Sequence, residues 1–288
     1  MQPPAVAAIP PFAVAGRPGA LQRMRVGDLD IGYWRGGIRG RPPILFLHGL
    51  GWDSSLWWPF VERYLDRFDV ICPDTRGHGI SGKPPGPYSI DLFATDILGL
   101  LDALGLPRLA VVGLSQGGMT AQTIATRAPN HVAALAVMVA GARSDPTAAA
   151  NMEERIAAQR GAGPAAAARI AAKSILSDGF LARTPGYLEA FVEWRAKMDP
   201  PAMEAAMRAI NGYDVLSALP RLTVPALVIS GDGDRLIPPA AARAVAAAIP
   251  GARYVEIPNS GHMVAIEQPD AVAAALDPFL DAYRKAVS

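Results

Sequence analysis

Short unbroken apolar runs recur along the first half of the chain, and a segment of helical spacing follows each one. The runs are Ile44-Leu-Phe-Leu, Asp69-Val-Ile-Cys, Leu109-Ala-Val-Val and Ala134-Leu-Ala-Val-Met-Val-Ala. Such runs, rich in β-branched residues, read as strands buried on both faces. Residues 55–64, 89–104 and 119–127 read as the helices between them. Ahead of these, residues 23–35 read as two strands joined at Gly27-Asp28, a hairpin signal.

The pattern changes at Gly141. Residues 147–160, 164–176, 185–198 and 201–210 read as helix after helix with no apolar strand between them. Alternation returns with Val224-Pro-Ala-Leu-Val-Ile-Ser, a helix over 240–248, the strand Tyr254-Val-Glu-Ile and a closing helix over 271–285. Strands alternating with helices predict an α/β fold, a mostly parallel sheet covered on both faces. A helical insert after the sixth strand reads as a lid over the carboxyl edge of the sheet, where ligands bind. The expected organisation is a mobile arm over 1–20, an α/β core over 21–141 and 223–288, and a helical cap over 142–222.

The run at Leu109 ends in Gly113-Leu-Ser115-Gln-Gly117-Gly118, and a helix-compatible segment follows at once. With 28 Gly in the chain a bare Gly-x-Ser-x-Gly is a weak signal; the strand before it and the helix after it give it weight. A serine forced into a sharp strand-to-helix turn needs neighbours without side chains, and the helix N-terminus behind it favours developing negative charge. Ser115 is therefore the candidate nucleophile. A serine hydroxyl needs a base, and His262, in a glycine turn after the last predicted strand, is placed to be it. An acid must hold the imidazole, and Asp232 and Asp234 both lie in the loop after residue 230. The order nucleophile, acid, histidine is the one the turn motif predicts. The oxyanion needs two backbone N–H donors: Gln116, after the nucleophile, and Leu50, in the loop after residues 44–47. His48 and His78 lie in turns and read as histidines bonded to loop backbone; His131, at a helix end, reads as solvated or capping.

Composition narrows the class. A 288-residue chain, 51% hydrophobic, suits one large domain with an insertion, and a net charge of +1 gives no reason to expect nucleic acid or an anionic membrane as partner. The apolar runs are too short for a membrane span. Cys72 is the only cysteine, so no internal disulfide forms, and its strand position reads as core. Residues 1–20 carry no basic region ahead of an apolar run, and Pro3, Pro4, Pro10 and Pro11 would break a signal helix. That stretch reads as an arm rather than a secretion signal, and the cytoplasm is the expected compartment. No metal cluster, phosphate loop or dinucleotide fingerprint stands out, and no cofactor is expected.

Together HGLG, DTRGHGISGKP, GLSQGG, GDGDRLIP and NSGHMVAIEQP resemble the α/β-hydrolase superfamily over nearly the whole chain. In that pattern the acid falls three residues after the loop glycine, with a proline beyond it, which implies Asp234 and leaves Asp232 as a turn former. Asp74 to Ser89, Asp96 to Gly105 and the Ser115 turn are similar to 3-oxoadipate enol-lactonases, which hydrolyse a small carboxylated lactone. The family usually has Asn-Ser-Leu where this chain has His48-Gly49-Leu50, and Met where it has Gln116. The resemblance implies a small-molecule ester or lactone as substrate, cleaved through an acyl-enzyme. Arg143, just after the strand that leads into the lid, is the expected cation for an anionic substrate. Trp52, Phe191, Trp194 and Met263 are candidate pocket residues beside it. Other members of the fold with these residues run perhydrolysis or cofactor-free oxygen chemistry, and a ligand receptor that keeps the triad is a reading of another class.

Overall fold

The computed structural model describes residues 20–287. The arm expected over 1–20 lies outside the described residues except for Ala20. Strand β1 (Gln22–Val26) and strand β2 (Leu29–Gly37) form the antiparallel hairpin, turned at Gly27 with φ +57°. Strands β3 (Pro43–Leu47), β4 (Asp69–Pro73), β5 (Leu109–Leu114), β6 (Val132–Met138), β7 (Ala226–Gly231) and β8 (Arg253–Ile257) complete one eight-stranded sheet in the order β1-β2-β4-β3-β5-β6-β7-β8. From β4 to β8 all neighbours are parallel; β1–β2 and β2–β4 are antiparallel. Every residue of β4, β5, β6 and β7 is buried, as their unbroken apolar runs require. At the centre Val111 pairs with Leu45 on one side and Leu135 on the other.

The segment after β3 departs from the expected single helix. A 3-10 turn (Ser54–Trp57) leads into a one-turn helix α1 (Trp58–Val61). Pro59, the second residue of α1, has no N–H to give to the preceding turn, which separates the 3-10 segment from the α-helical one. Helix α2 (Ile90–Ala103) is capped by Ser89, whose hydroxyl accepts from Leu92 N at 3.1 Å. Helix α3 (Gln116–Arg127) packs on α2, β5 and β6.

Five helices, not four, lie between β6 and β7: α4 (Pro146–Ala162), α5 (Pro164–Ile175), α6 (Asp178–Arg183), α7 (Tyr187–Arg195) and α8 (Pro200–Arg208). Sequence punctuation sets their ends. Asp145 accepts from Thr147 N and Ala148 N before Pro146, and Asp199 accepts from Ala202 N before Pro200-Pro201. Ser177 caps α6 through Phe180 N; six residues are too few to show a helical period in sequence. The insert leaves and rejoins the core at one point, where Ser144 N donates to Tyr213 O at 2.7 Å and Val215 N to Ala142 O at 2.8 Å.

Helix α9 (Pro239–Ala248) lies between β7 and β8, and α10 (Val264–Glu267) and α11 (Pro269–Val287) end the described chain. One continuous body of buried apolar side chains runs from the sheet into the insert, including Met152, Ile175, Phe180 and Phe191. The insert also bonds to the loops at the carboxyl ends of the strands: Gln116 Nε2 donates to Ala206 O, Met263 N to Ile175 O, and Arg235 Nη2 to Leu176 O. It therefore covers the edge of the sheet at which the candidate residues gather.

Candidate active site

β5 ends at Leu114 and α3 begins at Gln116, so Ser115 alone turns the chain. Its φ of 55° and ψ of −118° lie where a residue with a side chain is strained. The turn is held on both sides: Ser115 N donates to Met138 O and Met119 N to Ser115 O, each at 2.9 Å. A Cβ at Gly113 would collide with the Gly117 carbonyl, and one at Gly117 with the Leu47 carbonyl. Strand and helix meet this closely only because both positions lack a side chain. Within a buried run, Ser115 alone is partly exposed.

His262, on the loop after β8, brings Nε2 to 2.8 Å from Ser115 Oγ and Nδ1 to 2.8 Å from Asp234 Oδ2. A carboxylate only accepts, so Nδ1 carries the proton and Nε2 offers its lone pair to the serine O–H. Asp234 is fixed in turn by Leu236 N and Ile237 N, which donate to its Oδ1 at 2.9 Å each. Both Asp234 and His262 are buried. Asp232 serves elsewhere: it accepts from Asn259 N at 3.0 Å and Ser260 N at 3.1 Å, tying the β7 loop to the β8 loop. Buried Glu267, which lies within the NSGHMVAIEQP motif but has no role assigned from sequence, accepts from Gly261 N at 3.0 Å and from Ser177 Oγ at 2.5 Å. It ties the histidine loop to the start of α6.

The loop after β3 passes directly over the nucleophile. A Cβ at Gly49 would stand 3.3 Å from Ser115 Cβ. Leu50 and Gln116 both line the cavity around Ser115. Gln116 N sits in the first turn of α3, where amides lack intrahelical partners. The amides after Leu50 are already used: Gly51 N donates to His78 Nε2 at 3.0 Å and Trp52 N to Gly49 O at 3.2 Å. Beneath the loop His48 Nε2 accepts from Thr75 N at 3.0 Å, and His48 Nδ1 donates to Gly49 O at 2.8 Å. Burial lowers His48, against the opposing pull of Asp74; burial, with His48 beside it, takes His78 well below its ordinary range. Both rings stay neutral at neutral pH, which their role as acceptors of backbone N–H requires.

The cavity at Ser115, about 30 Å³ in volume, lies between Leu50, Trp52, Met119, Met152, Ile175, Ile210 and His262, among others. Trp52 and Met263 line it. The other three expected pocket residues do not. Arg143 is exposed at the hinge, its backbone bridged to Asp214, and it faces a separate surface cleft with Ser144 and Asp145. Being next to a strand end in sequence does not aim a side chain along the strand. Phe191 is fully buried behind Trp52, with ring centroids 5.5 Å apart, and Trp194 packs on the same indole at 5.4 Å. They form the wall behind the lining rather than the lining itself.

The cations that do line the cavity are Arg155 of α4 and Arg195 of α7. Their signal was present in the sequence. Ala148, Met152, Arg155 and Ile156 follow the spacing of one buried helical face, as do Tyr187, Phe191 and Arg195. A charged residue inside an apolar stripe is the informative exception. Among the described residues no group of three or more His, Cys, Asp or Glu converges to hold a metal, and no helix is long and apolar enough to cross a membrane.

Known proteins resemble this chain in sequence and fold. A family model described as α/β hydrolase fold matches residues 42–269. The 3-oxoadipate enol-lactonase 2 of Acinetobacter baylyi is 30% identical over 250 residues, covering 87% of this chain and 92% of that protein. The RutD protein of Caulobacter segnis, provisionally named a carbamate hydrolase, is 28% identical over 85% of this chain and 93% of its own. The crystal structure of the enol-lactonase from Burkholderia xenovorans LB400 superposes with a TM-score of 0.85 at 33% identity, covering 90% of this chain and all of that one.

Proposed function

The chain belongs to the α/β hydrolase fold family, and we propose that it is a serine hydrolase cleaving a small carboxylic ester or lactone through an acyl-enzyme. The observation that carries this is the pair of 2.8 Å contacts joining Ser115, His262 and Asp234 at a strained turn facing a cavity. In the first half-reaction Ser115 Oγ attacks the carbonyl carbon as His262 Nε2 takes its proton. Asp234 holds the imidazole in the required tautomer and steadies the imidazolium that forms. Leu50 N–H and Gln116 N–H receive the negative charge that develops on the carbonyl oxygen. Collapse breaks the acyl–oxygen bond, and the leaving oxygen takes the proton back from His262. Water then repeats the sequence on the acyl-enzyme, with His262 as base, and frees Ser115.

The similarity to enol-lactonases supports a lactone, or an ester of similar size, as substrate. In this reading the helices between β6 and β7 act as the cap that excludes water from the acyl-enzyme. The test is steady-state hydrolysis of short esters and lactones by the full chain and by Ser115→Ala. We expect kcat to fall by at least about 10³-fold in the variant. Turnover that survives unchanged, with or without oxygen consumption, rejects the acyl-enzyme route.

A further inference from the structure

Three arginines are buried among the described residues: Arg76, Arg155 and Arg195. Arg76 meets Asp96 through Nε and Nη2 at 2.5 and 2.7 Å. Half-buried Arg35 meets Asp69 through the same two nitrogens at 3.0 and 2.6 Å. That edge of a guanidinium matches the two oxygens of a carboxylate. In Arg155 the Nε and Nη2 atoms are buried without a hydrogen-bond partner, and its Nη1 reaches only Met152 Sδ at 3.7 Å. Arg195 has Nη1 unpartnered, and its Nη2 donates to Leu50 O at 3.4 Å, beside the loop that passes over Ser115. Neither has an acidic partner within ion-pair distance among the described residues, and both line the cavity that holds Ser115.

Two unpaired charges buried side by side are costly in a folded chain. Burial, followed by the repulsion of Arg195, pulls Arg155 down to about 9, and burial brings Arg195 down to about 10, so both remain charged at neutral pH. The carboxylate-matching edge of Arg155 and a further N–H of Arg195 are thus buried without partners on two residues that line the reaction cavity, and an anion is the group that completes such an arrangement.

We propose that the substrate carries a carboxylate apart from its scissile group, held side-on by the Nε–Nη2 edge of Arg155 with Arg195 Nη1 as a further donor, and that these two arginines select it over neutral esters. This rests on the serine-hydrolase reading. Hydrolysis then turns a monoanion into a dicarboxylate inside a doubly cationic cavity. The free enzyme therefore also binds small dicarboxylates, which inhibit by competing with substrate.

The test uses the full chain and two matched series. Monomethyl succinate, glutarate and adipate are compared with methyl esters in which an isopropyl group replaces the free carboxylate. For at least one chain length kcat/KM should favour the anion by on the order of 10²-fold, and Arg155→Met should bring that ratio close to one. Arg155→Lys keeps the charge without the matching edge and should recover only part of it. A second measurement is thermal melting of the wild type and Arg155→Met with succinate, glutarate, adipate or inorganic phosphate. A dicarboxylate should raise the wild-type Tm and leave that of Arg155→Met where it was. Neutral esters preferred at every length, a ratio untouched by Arg155→Met, or a shift with phosphate alone overturns the proposal. If no ester of either series is hydrolysed, the hydrolase reading fails. The melting shift and its loss in Arg155→Met then decide the anion site by themselves.

Discussion

The core and the cap bury the same side chain to opposite ends. In the core, Arg76 is closed off by Asp96, and Tyr88 packs against the guanidinium at 5.6 Å from its ring centroid. In the helical insert, Arg155 and Arg195 are as deeply buried but lack acidic partners among the described residues; besides Leu50 O, Arg195 has only the Phe191 ring, 5.7 Å to its centroid, and both arginines line the cavity of Ser115. A satisfied buried pair contributes to one rigid arrangement, whereas an unsatisfied one is a cost that a ligand relieves. The difference divides the work between the two regions. In the proposed function the sheet and its loops position the reacting groups, and the helical insert supplies the arginines that select the substrate.

Three changes break or sharpen this contrast. Arg76→Met should have the largest effect, because it strands the Asp96 carboxylate in a buried site; a loss of about 3–5 kcal/mol in urea-unfolding free energy is expected. A loss below about 1 kcal/mol would mean that the pair is dispensable and the contrast empty. Arg155→Met should move stability the other way, by about 1–2 kcal/mol toward the folded state, since it removes an unpaired buried charge and keeps an apolar stem of similar length. Destabilisation of similar size would mean that Arg155 holds the cap together rather than waiting for an anion.

The smallest effect concerns acid. His48 and His78 are both lowered by burial, so the unfolded chain binds protons that the folded chain refuses. Their contribution is complete above the ordinary value of 6.5 and is lost as pH falls from there through the folded-state values. Each histidine can remove at most about 1.4 kcal/mol per pH unit in that window. Asp74, raised chiefly by burial, opposes this loss at the acid end. Unfolding midpoints between pH 7.5 and 5.5 should decline, and His78→Gln should flatten the decline; a flat wild-type profile would contradict neutral, buried rings.

The sheet was legible because its central strands are buried on both faces and therefore carry unbroken apolar runs, and because loop glycines mark their carboxyl ends. Ser115 and His262 could be singled out since each follows a predicted strand, whereas only the resemblance to α/β hydrolases separated Asp234 from Asp232; His262 lies within hydrogen-bond distance of both Ser115 and Asp234. The cap was legible as helices but not as chemistry. Helix α6 is shorter than its own period can show, and Pro59 divides a segment whose aromatic residues read as one helix. Nearness in sequence to a strand end pointed to Arg143, whereas the arginine inside an apolar stripe, Arg155, is the one that lines the cavity of Ser115. Phe191 and Trp194 have helical spacing, which places them against Trp52 but does not tell the inner face of that wall from the outer.

The central claim is that Ser115 forms the acyl-enzyme. Incubation of the protein with a small alkyl fluorophosphonate, followed by peptide mass spectrometry, tests it most directly. One adduct on the peptide containing Ser115 is expected, absent in Ser115→Ala and greatly slowed in His262→Ala. Labelling elsewhere, or labelling at Ser115 that does not depend on His262, would contradict the account.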